Sequence, residues 1–267
     1  MKSLIVVVLW TTLAQPWEFL SPSTFTREIN ASKYEMIAIK ATWGDVNIQL
    51  INGDKVEITG ELVINGTLMN DRIEIKQDKR GKELAIELDV DLEGTDKVVY
   101  LRDDEGNFSY IKSDEFDHSN GWNGYQSMNY GRHVEAEFII GIPNGKVLNM
   151  ETVYGCITSD HLPNESIIYA TYGSIDLKLP KFSSDADYDI KSIYGHVDVA
   201  VPGNLNSQLN MSTSYGQIYT DLEIKMSKNK SSKKSCGIGE DINLVMGEGG
   251  ANLNLEATYD NIYLRSL

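Results

Sequence analysis

The sequence predicts an all-β chain: a β-solenoid, or β-helix-like stack of short strands, turned at Tyr-Gly corners. Three observations carry this. One phrase recurs, made of a small or β-branched residue, an aromatic, a glycine, any residue, then Ile or Val. It reads Val153-Tyr154-Gly155-Cys156-Ile157, Thr171-Tyr172-Gly173-Ser174-Ile175, Ile193-Tyr194-Gly195-His196-Val197 and Ser214-Tyr215-Gly216-Gln217-Ile218. An early copy is Thr42-Trp43-Gly44-Asp45-Val46, and a last one is Thr258-Tyr259-Asp260-Asn261-Ile262, with Asp in the glycine's place. Gly155 to Gly173 spans 18 residues, Gly173 to Gly195 spans 22 and Gly195 to Gly216 spans 21. From Gly216 to Asp260 is 44, which reads as two periods with one phrase worn away. Self-similarity at such a period marks units that bury their apolar faces on each other. The second observation is alternation after each glycine: Ile175, Leu177 and Leu179 point one way, Ser174, Asp176 and Lys178 the other. That is a strand with one buried face. The third is a second turn seven or eight residues on, at Pro163-Asn164, Pro180 and Pro202-Gly203-Asn204. Each unit therefore reads as strand, proline turn, strand, glycine corner. A glycine fixed at one place calls for positive φ or close chain approach.

Taken in order, residues 1–14 read as a secretory signal peptide. Lys2 gives the charged start, Leu4 to Trp10 the apolar run, and Thr12-Leu13-Ala14 the small-residue cleavage site. The run is too short to span a bilayer, and no second one follows, so no transmembrane segment is expected after signal cleavage. Residues 15–267 are expected to form a single domain. Residues 15–33 are a polar lead-in. Strands follow at Tyr34 to Lys40, Asp45 to Leu50, Lys55 to Ile64, Arg72 to Gln77 and Glu83 to Val90, separated by Asn52-Gly53 and Asp78-Lys79-Arg80-Gly81 turns. Residues 91–132 read as an irregular acidic insertion, too long for a simple connection. Its carboxylates do not fit the spacing of an EF-hand loop. His133 to Ile142 resumes the strand pattern. The repeat array covers residues 146–267, interrupted by the basic run Lys225 to Lys234, which reads as a solvated loop.

The formal net charge of −15 excludes a nucleic-acid partner, whose phosphates would be repelled, and fits an extracytoplasmic protein of the periplasm, the cell surface or the medium. Cys156 and Cys236 would sit several rungs apart at roughly 4.8 Å per rung, beyond the reach of about 7 Å between Cα atoms that a disulfide allows. Two unpaired cysteines are expected, unless the loop before Cys236 folds back. No P-loop, dinucleotide fingerprint, zinc-type cysteine pair, HExxH helix or Gly-x-Ser-x-Gly elbow is present, and His118, His133, His161 and His196 are scattered. No catalytic, metal or cofactor residues are therefore assigned. Asp176 and Asp198 hold equivalent places on successive rungs, close to the spacing of a retaining glycosidase pair, but any regular array stacks equivalent residues, and an outward polar face is the preferred reading. Tyr154, Tyr172, Tyr194, Tyr215 and Tyr259 are expected in one column along an edge. Such a column either packs the corner or offers an aromatic strip to sugar rings or a partner.

The opening Gly44-Asp45-Val46-Asn47-Ile48, with Asp54-Lys55-Val56-Glu57-Ile58, resembles the start of the bacterial DUF4097 family of adhesin-like proteins. The Tyr-Gly-x-Ile units resemble that family's Asn-Gly-Asp-Ile repeats. The stretches Gly247 to Leu253 and Thr258 to Arg265 are similar to the last unit of Bacteroidetes-type members. The chain departs from the pattern where aromatics replace the corner Asn and where Asp260 replaces the final glycine. The resemblance covers nearly the whole mature chain. It implies a β-solenoid-like, envelope-associated protein and no catalytic residues.

The expectation is a non-enzymatic, secreted envelope protein that binds or scaffolds, with a cell-surface glycan or an envelope protein as partner. Two alternatives stand beside it: a β-helix carbohydrate-active enzyme acting on polysaccharide, and a periplasmic regulator or sensor. Terminal rungs need capping. The N-terminal strands can cap one end, while the rung ending at Leu267 is expected at the open end, where end-to-end homo-oligomers could form.

Overall fold

The computed structural model describes residues 24–113, 115–116, 127–222 and 239–267. The expected signal at 1–14, the whole basic run at 225–234 and Cys236 lie outside the described residues, as do Trp122, Tyr125 and His118 of the acidic insertion. The described residues form strands joined by turns and one 3-10 turn at Asn70–Arg72, with no α-helix.

The first seven strands are β1 (Phe25–Asn30), β2 (Met36–Trp43), β3 (Asp45–Ile51), β4 (Lys55–Ile64), β5 (Thr67–Leu68), β6 (Ile73–Arg80) and β7 (Glu83–Val90). Then come β8 (Val98–Arg102), β9 (Phe108–Lys112), β10 (Ser127–Gly131) and β11 (Val134–Pro143). The repeat region alternates between two sheets: β12 (Val147–Tyr154) and β13 (Ile157–Ser159), β14 (Glu165–Ala170) and β15 (Ile175–Lys178), β16 (Asp187–Ser192) and β17 (Val197–Val201), β18 (Ser207–Thr213) and β19 (Ile218–Thr220). β20 (Asp241–Met246) precedes the last pair, β21 (Ala251–Ala257) and β22 (Ile262–Ser266).

One sheet runs β1-β4-β11-β3-β13-β15-β17-β22-β19, with β5 on β4, and the other runs β20-β18-β21-β16-β14-β12-β2-β7-β6. The repeat strands pair in parallel within each sheet, in register. Alternation of the sequence decides which side chains face in. Ile39, Met150, Ile168, Ile190, Leu255 and Met211 form one buried row of the second sheet. Val46, Ile157, Ile175, Val197 and Ile262 form the opposing row of the first. Both rows belong to one continuous apolar core. At roughly 25 cal/mol per Å² of apolar area removed from water, these rows are the main source of stability. Antiparallel strands close the ends: β4 and β1 beyond β11, β6 beyond β7, and β20 beyond β18.

The repeat glycines serve close approach and not positive φ. Gly155, Gly173, Gly195 and Gly216 are absent from the residues with left-handed backbone, whereas the early corner Gly44 has φ +101°. A Cβ built on Gly155 would lie 1.9 Å from the Gly44 carbonyl oxygen; on Gly173, 1.9 Å from that of Gly155; on Gly216, 1.9 Å from that of Asp260. The next rung's carbonyl occupies the place where a side chain would begin.

Two expectations are corrected. The final rung is not at an open end. β21 and β22 insert between the β16/β17 and β18/β19 rungs, so the chain order and the spatial order of rungs differ. The middle of the gap between Gly216 and Asp260, where a worn phrase is expected, lies at residues 223–238, outside the described residues; after it the chain forms β20, an antiparallel strand on β18. Finally, the acidic insertion at 91–132 is not irregular throughout. β10, β8 and β9 form a small antiparallel sheet, whose Tyr100 and Phe108 rings pack on His133 at 4.9 and 4.3 Å between centroids. Short strands interrupted by Asp, Asn and Gly lack the long alternation that exposes a strand to reading.

Replacing Gly155 with Ala is expected to cost about 3 kcal/mol or more, because the obstructing atom is backbone and cannot turn aside. Gly203→Ala, whose Cβ would meet only the Ser266 hydroxyl at 3.0 Å, is expected to cost less than about 1 kcal/mol. Urea unfolding of both variants checks the difference. A second test concerns Tyr188, whose phenol burial, aided by Asp185, pushes up to about 12. An unfolded tyrosine ionises near pH 10. Between those two values the unfolded chain sheds a proton that the folded chain keeps, so stability holds below about pH 10 and falls as pH climbs toward 12. Tyr188→Phe is expected to flatten that alkaline decline in a pH series of thermal midpoints.

Candidate functional site

Each corner begins on a strand of the second sheet and turns into the first. Beneath the corners runs a row of small side chains, in spatial order Ala41, Thr152, Ala170, Ser192, Ala257 and Thr213. The hydroxyls brace the turn. Thr152 Oγ1 donates to the Gly155 carbonyl at 2.8 Å, Ser192 Oγ to that of Gly173 at 2.8 Å, and Thr213 Oγ1 to that of Gly216 at 2.8 Å. The aromatic residues are tied rung to rung by their own amides. Tyr172 N–H donates to Val153 O at 3.0 Å, Tyr194 to Thr171 at 3.0 Å, Tyr259 to Ile193 at 2.9 Å and Tyr215 to Thr258 at 3.0 Å.

With their backbones held at one rung spacing, the rings stack. The order is Trp43, Tyr154, Tyr172, Tyr194, Tyr259, Tyr215, with centroids 4.7, 5.1, 4.8, 4.9 and 5.0 Å apart. The four tyrosine pairs lie within 6° of parallel, and Trp43 is inclined 22° to Tyr154. All five tyrosines expected in a column are thus brought together, each about half exposed, with Trp43 extending the row. What the sequence order does not give is Tyr259 lying between Tyr194 and Tyr215.

Stacking decides what the ladder can do. Each inner ring has a neighbour on both faces. A sugar ring that packs on an aromatic needs an open face, so the inner rungs do not offer that platform. They present ring edges, which carry the positive side of the π quadrupole, and a line of phenol oxygens.

The residue after each corner glycine forms a polar row: Asp45, Cys156, Ser174, His196, Asn261, Gln217. Its side-chain oxygens accept amides of the next rung that the strand ladder leaves unpaired. Asp45 Oδ1 accepts from Cys156 N at 2.7 Å, Ser174 Oγ from His196 N at 3.3 Å, and Asn261 Oδ1 from Gln217 N at 2.8 Å. Cys156 is a free thiol, and burial pushes its pKa up, so it stays protonated at neutral pH.

On the outer face of the first sheet, Asp176 and Asp198 are direct neighbours across β15 and β17. The Arg265 guanidinium grips both oxygens of Asp198, with Nε to Oδ1 at 2.8 Å and Nη2 to Oδ2. His196 lies between Ser174 and Asp176, with Nδ1 3.0 Å from Ser174 Oγ and Nε2 3.0 Å from Asp176 Oδ1. Since Ser174 Oγ already accepts the His196 amide, its hydroxyl proton is placed to go to Nδ1, leaving Nε2–H to donate to Asp176. Lys178 pairs with Asp160 at 3.0 Å nearby. Sequence reasoning placed Asp176 and Asp198 side by side but missed their partners Arg265, His196 and Ser174. The contacts are made between rungs, and the one available signal for them was a histidine at a position that carries Ser or Gln elsewhere. Among the described residues, no group of three or more His, Cys, Asp or Glu is arranged to hold a metal ion.

No protein-family model and no curated protein matches the chain at a significant level. Among solved structures, the chain is similar to one described as a "putative cell adhesion protein" from Clostridium sporogenes. The TM-score is 0.52 at 13% sequence identity, over 91% of this chain and 99% of that one. At that identity the likeness speaks to the fold.

If stacking stabilises the corner, Tyr172→Ala should lose two ring contacts and about 2 kcal/mol, at roughly 0.5–1.5 kcal/mol for each aromatic pair. Tyr172→Phe keeps both and should stay within about 0.5 kcal/mol of the parent. Chemical denaturation of the two variants side by side separates ring stacking from the hydroxyl.

Proposed function

We propose that this chain is a non-enzymatic, extracytoplasmic protein of the cell envelope, an adhesin-like binding or scaffolding module of the DUF4097 type built as a β-solenoid. The observation that carries the reading is the ladder itself. Six rungs in register expose one continuous aromatic edge, and contiguous exposed apolar strips are the usual mark of an interaction surface. Repeat arrays bind through such extended surfaces rather than through pockets. The leader-like residues 1–14 and the net charge of −15 support export. The description of the Clostridium sporogenes neighbour as a cell adhesion protein agrees in kind. No helix among the described residues is long and apolar enough to cross a membrane. The partner is a cell-surface glycan or an envelope protein. A glycan held on this strip would be gripped through hydrogen bonds to the phenols and polar contacts beside them, since the inner ring faces are covered.

A second reading has one specific observation in its favour. Asp176, Asp198, His196 and Arg265 place acids, an imidazole and a cation on one face, which a polysaccharide-cleaving enzyme would require. Against it stands Asp198, held at both oxygens by Arg265 and so committed to an ion pair. A periplasmic regulator that docks an envelope partner on the same array is a variant of the scaffold reading.

Protease shaving of intact source cells tests the proposal. Digestion on intact cells supports surface adhesion, and survival until the outer membrane is opened supports a periplasmic scaffold or regulator. Survival until the cytoplasmic membrane is broken would sink the extracytoplasmic reading. In parallel, turnover of a polysaccharide panel that Asp176→Asn abolishes would put the enzyme reading in its place.

A further inference from the structure

The ladder holds phenols next to one another, and phenols have a reaction of their own. A phenol that loses one electron and one proton becomes a phenoxyl radical, with unpaired spin on its ortho carbons. Two such radicals couple carbon to carbon. In free solution they must first meet. Here each tyrosine already has its partner, at 5.1 Å for Tyr154 and Tyr172, 4.8 Å for Tyr172 and Tyr194, 4.9 Å for Tyr194 and Tyr259, and 5.0 Å for Tyr259 and Tyr215. Holding partners together turns a bimolecular step into a unimolecular one. The rings are between 47% and 59% exposed, so an oxidant reaches their edges, water takes the protons, and each ring has open space to tilt toward its neighbour. Tyr219 and Tyr263 form a second stacked pair at 5.3 Å on the outer face of the first sheet.

We propose that the tyrosine ladder is an oxidative cross-linking site, at which hydrogen peroxide and a haem peroxidase join tyrosines of adjacent rungs as dityrosine. Each of two phenols gives up one electron and one proton. An ortho carbon of one ring bonds to an ortho carbon of the other, and the two ortho hydrogens move to the oxygens, restoring both phenols. The peroxide takes the two electrons and two protons and leaves as two waters. The product is the same chain less two hydrogen atoms, with two rungs joined covalently. The bonds Tyr194 to Tyr259 and Tyr259 to Tyr215 would lock the final rung into the place where it inserts. This site does not depend on the binding reading.

Spatial order gives the test its sharpness. Tyr194 and Tyr215 are successive in the sequence repeat, yet the Tyr259 ring stands between them. Dilute full-length protein is treated with a haem peroxidase and limiting hydrogen peroxide, then digested and mapped by mass spectrometry alongside dityrosine fluorescence. Expected are intramolecular links 154–172, 172–194, 194–259 and 215–259, no link 194–215, and a yield about tenfold lower when the chain is unfolded in urea. Tyr259→Phe, with native circular dichroism as its folding control, should lose the two links made at that ring and keep 154–172 and 172–194. Products led by Tyr130, which has no ring partner among the described residues, a link between Tyr194 and Tyr215 in the parent protein, a yield unchanged by unfolding, or loss of all links in a folded Tyr259→Phe would each overturn the proposal.

Discussion

The fit of a carbonyl oxygen into the space where a side chain would start is what the rest of the molecule depends on. At Gly155, Gly173 and Gly216 that oxygen belongs to the neighbouring rung and would lie 1.9 Å from a Cβ. The corner backbones can therefore approach to one strand spacing. From that spacing follow the in-register parallel pairing of both sheets, the stacked buried rows and the stacked rings. Asp260 occupies the equivalent place in the inserted rung and is the exception that carries a Cβ there, at the same ring spacing of 4.9 Å, while Gly216 packs against its carbonyl. The hydroxyls of Thr152, Ser192 and Thr213 then satisfy the corner carbonyls from inside, where an unpaired polar group would be costly.

The rings are a consequence of the same constraint. A corner tight enough to exclude a Cβ leaves the backbone thinly covered, and an aromatic one position earlier lies over it. Repeated at one spacing, the rings cover each other's faces and leave edges and phenols outward. This is why the ladder is at once a packing device and a surface. It is also why sugar stacking on the inner rungs does not follow from the presence of tyrosines. The polar row beside it shows the same economy. Asp45, Ser174 and Asn261 close amides of the next rung, and only where histidine enters the row does a hydrogen-bonded chain extend to Asp176.

Parallel arrays leave raw edges, which are prone to pair with other chains. Here antiparallel strands guard the ends. β6 carries Lys76, Asp78, Lys79 and Arg80, and β1 pairs Glu28 with Lys55 across to β4. At the far end of the first sheet, the Ile218 amide that would bond another rung donates to Glu240 Oε2 at 3.0 Å. A side chain thus stands in for the missing strand.

Much of the local structure was legible because local structure is what alternation encodes. The bounds expected for β4 and β7 coincide with those observed, and β3 differs by one residue. The five tyrosines were readable as one column because they share a corner position. The short strands of the acidic insertion were not readable, since five-residue strands rich in polar residues carry no long period. The Asp198–Arg265 pair and the Ser174–His196–Asp176 chain were hidden for a different reason: their members come from different rungs. By itself the sequence determined the unit, its inward and outward faces and its corner. Only the tertiary structure decided the order in which the units stack. Equivalent strands pair in parallel equally well with any copy of themselves, so the phrase cannot rank its neighbours. The connections and the end-specific partners place the last rung inside the array.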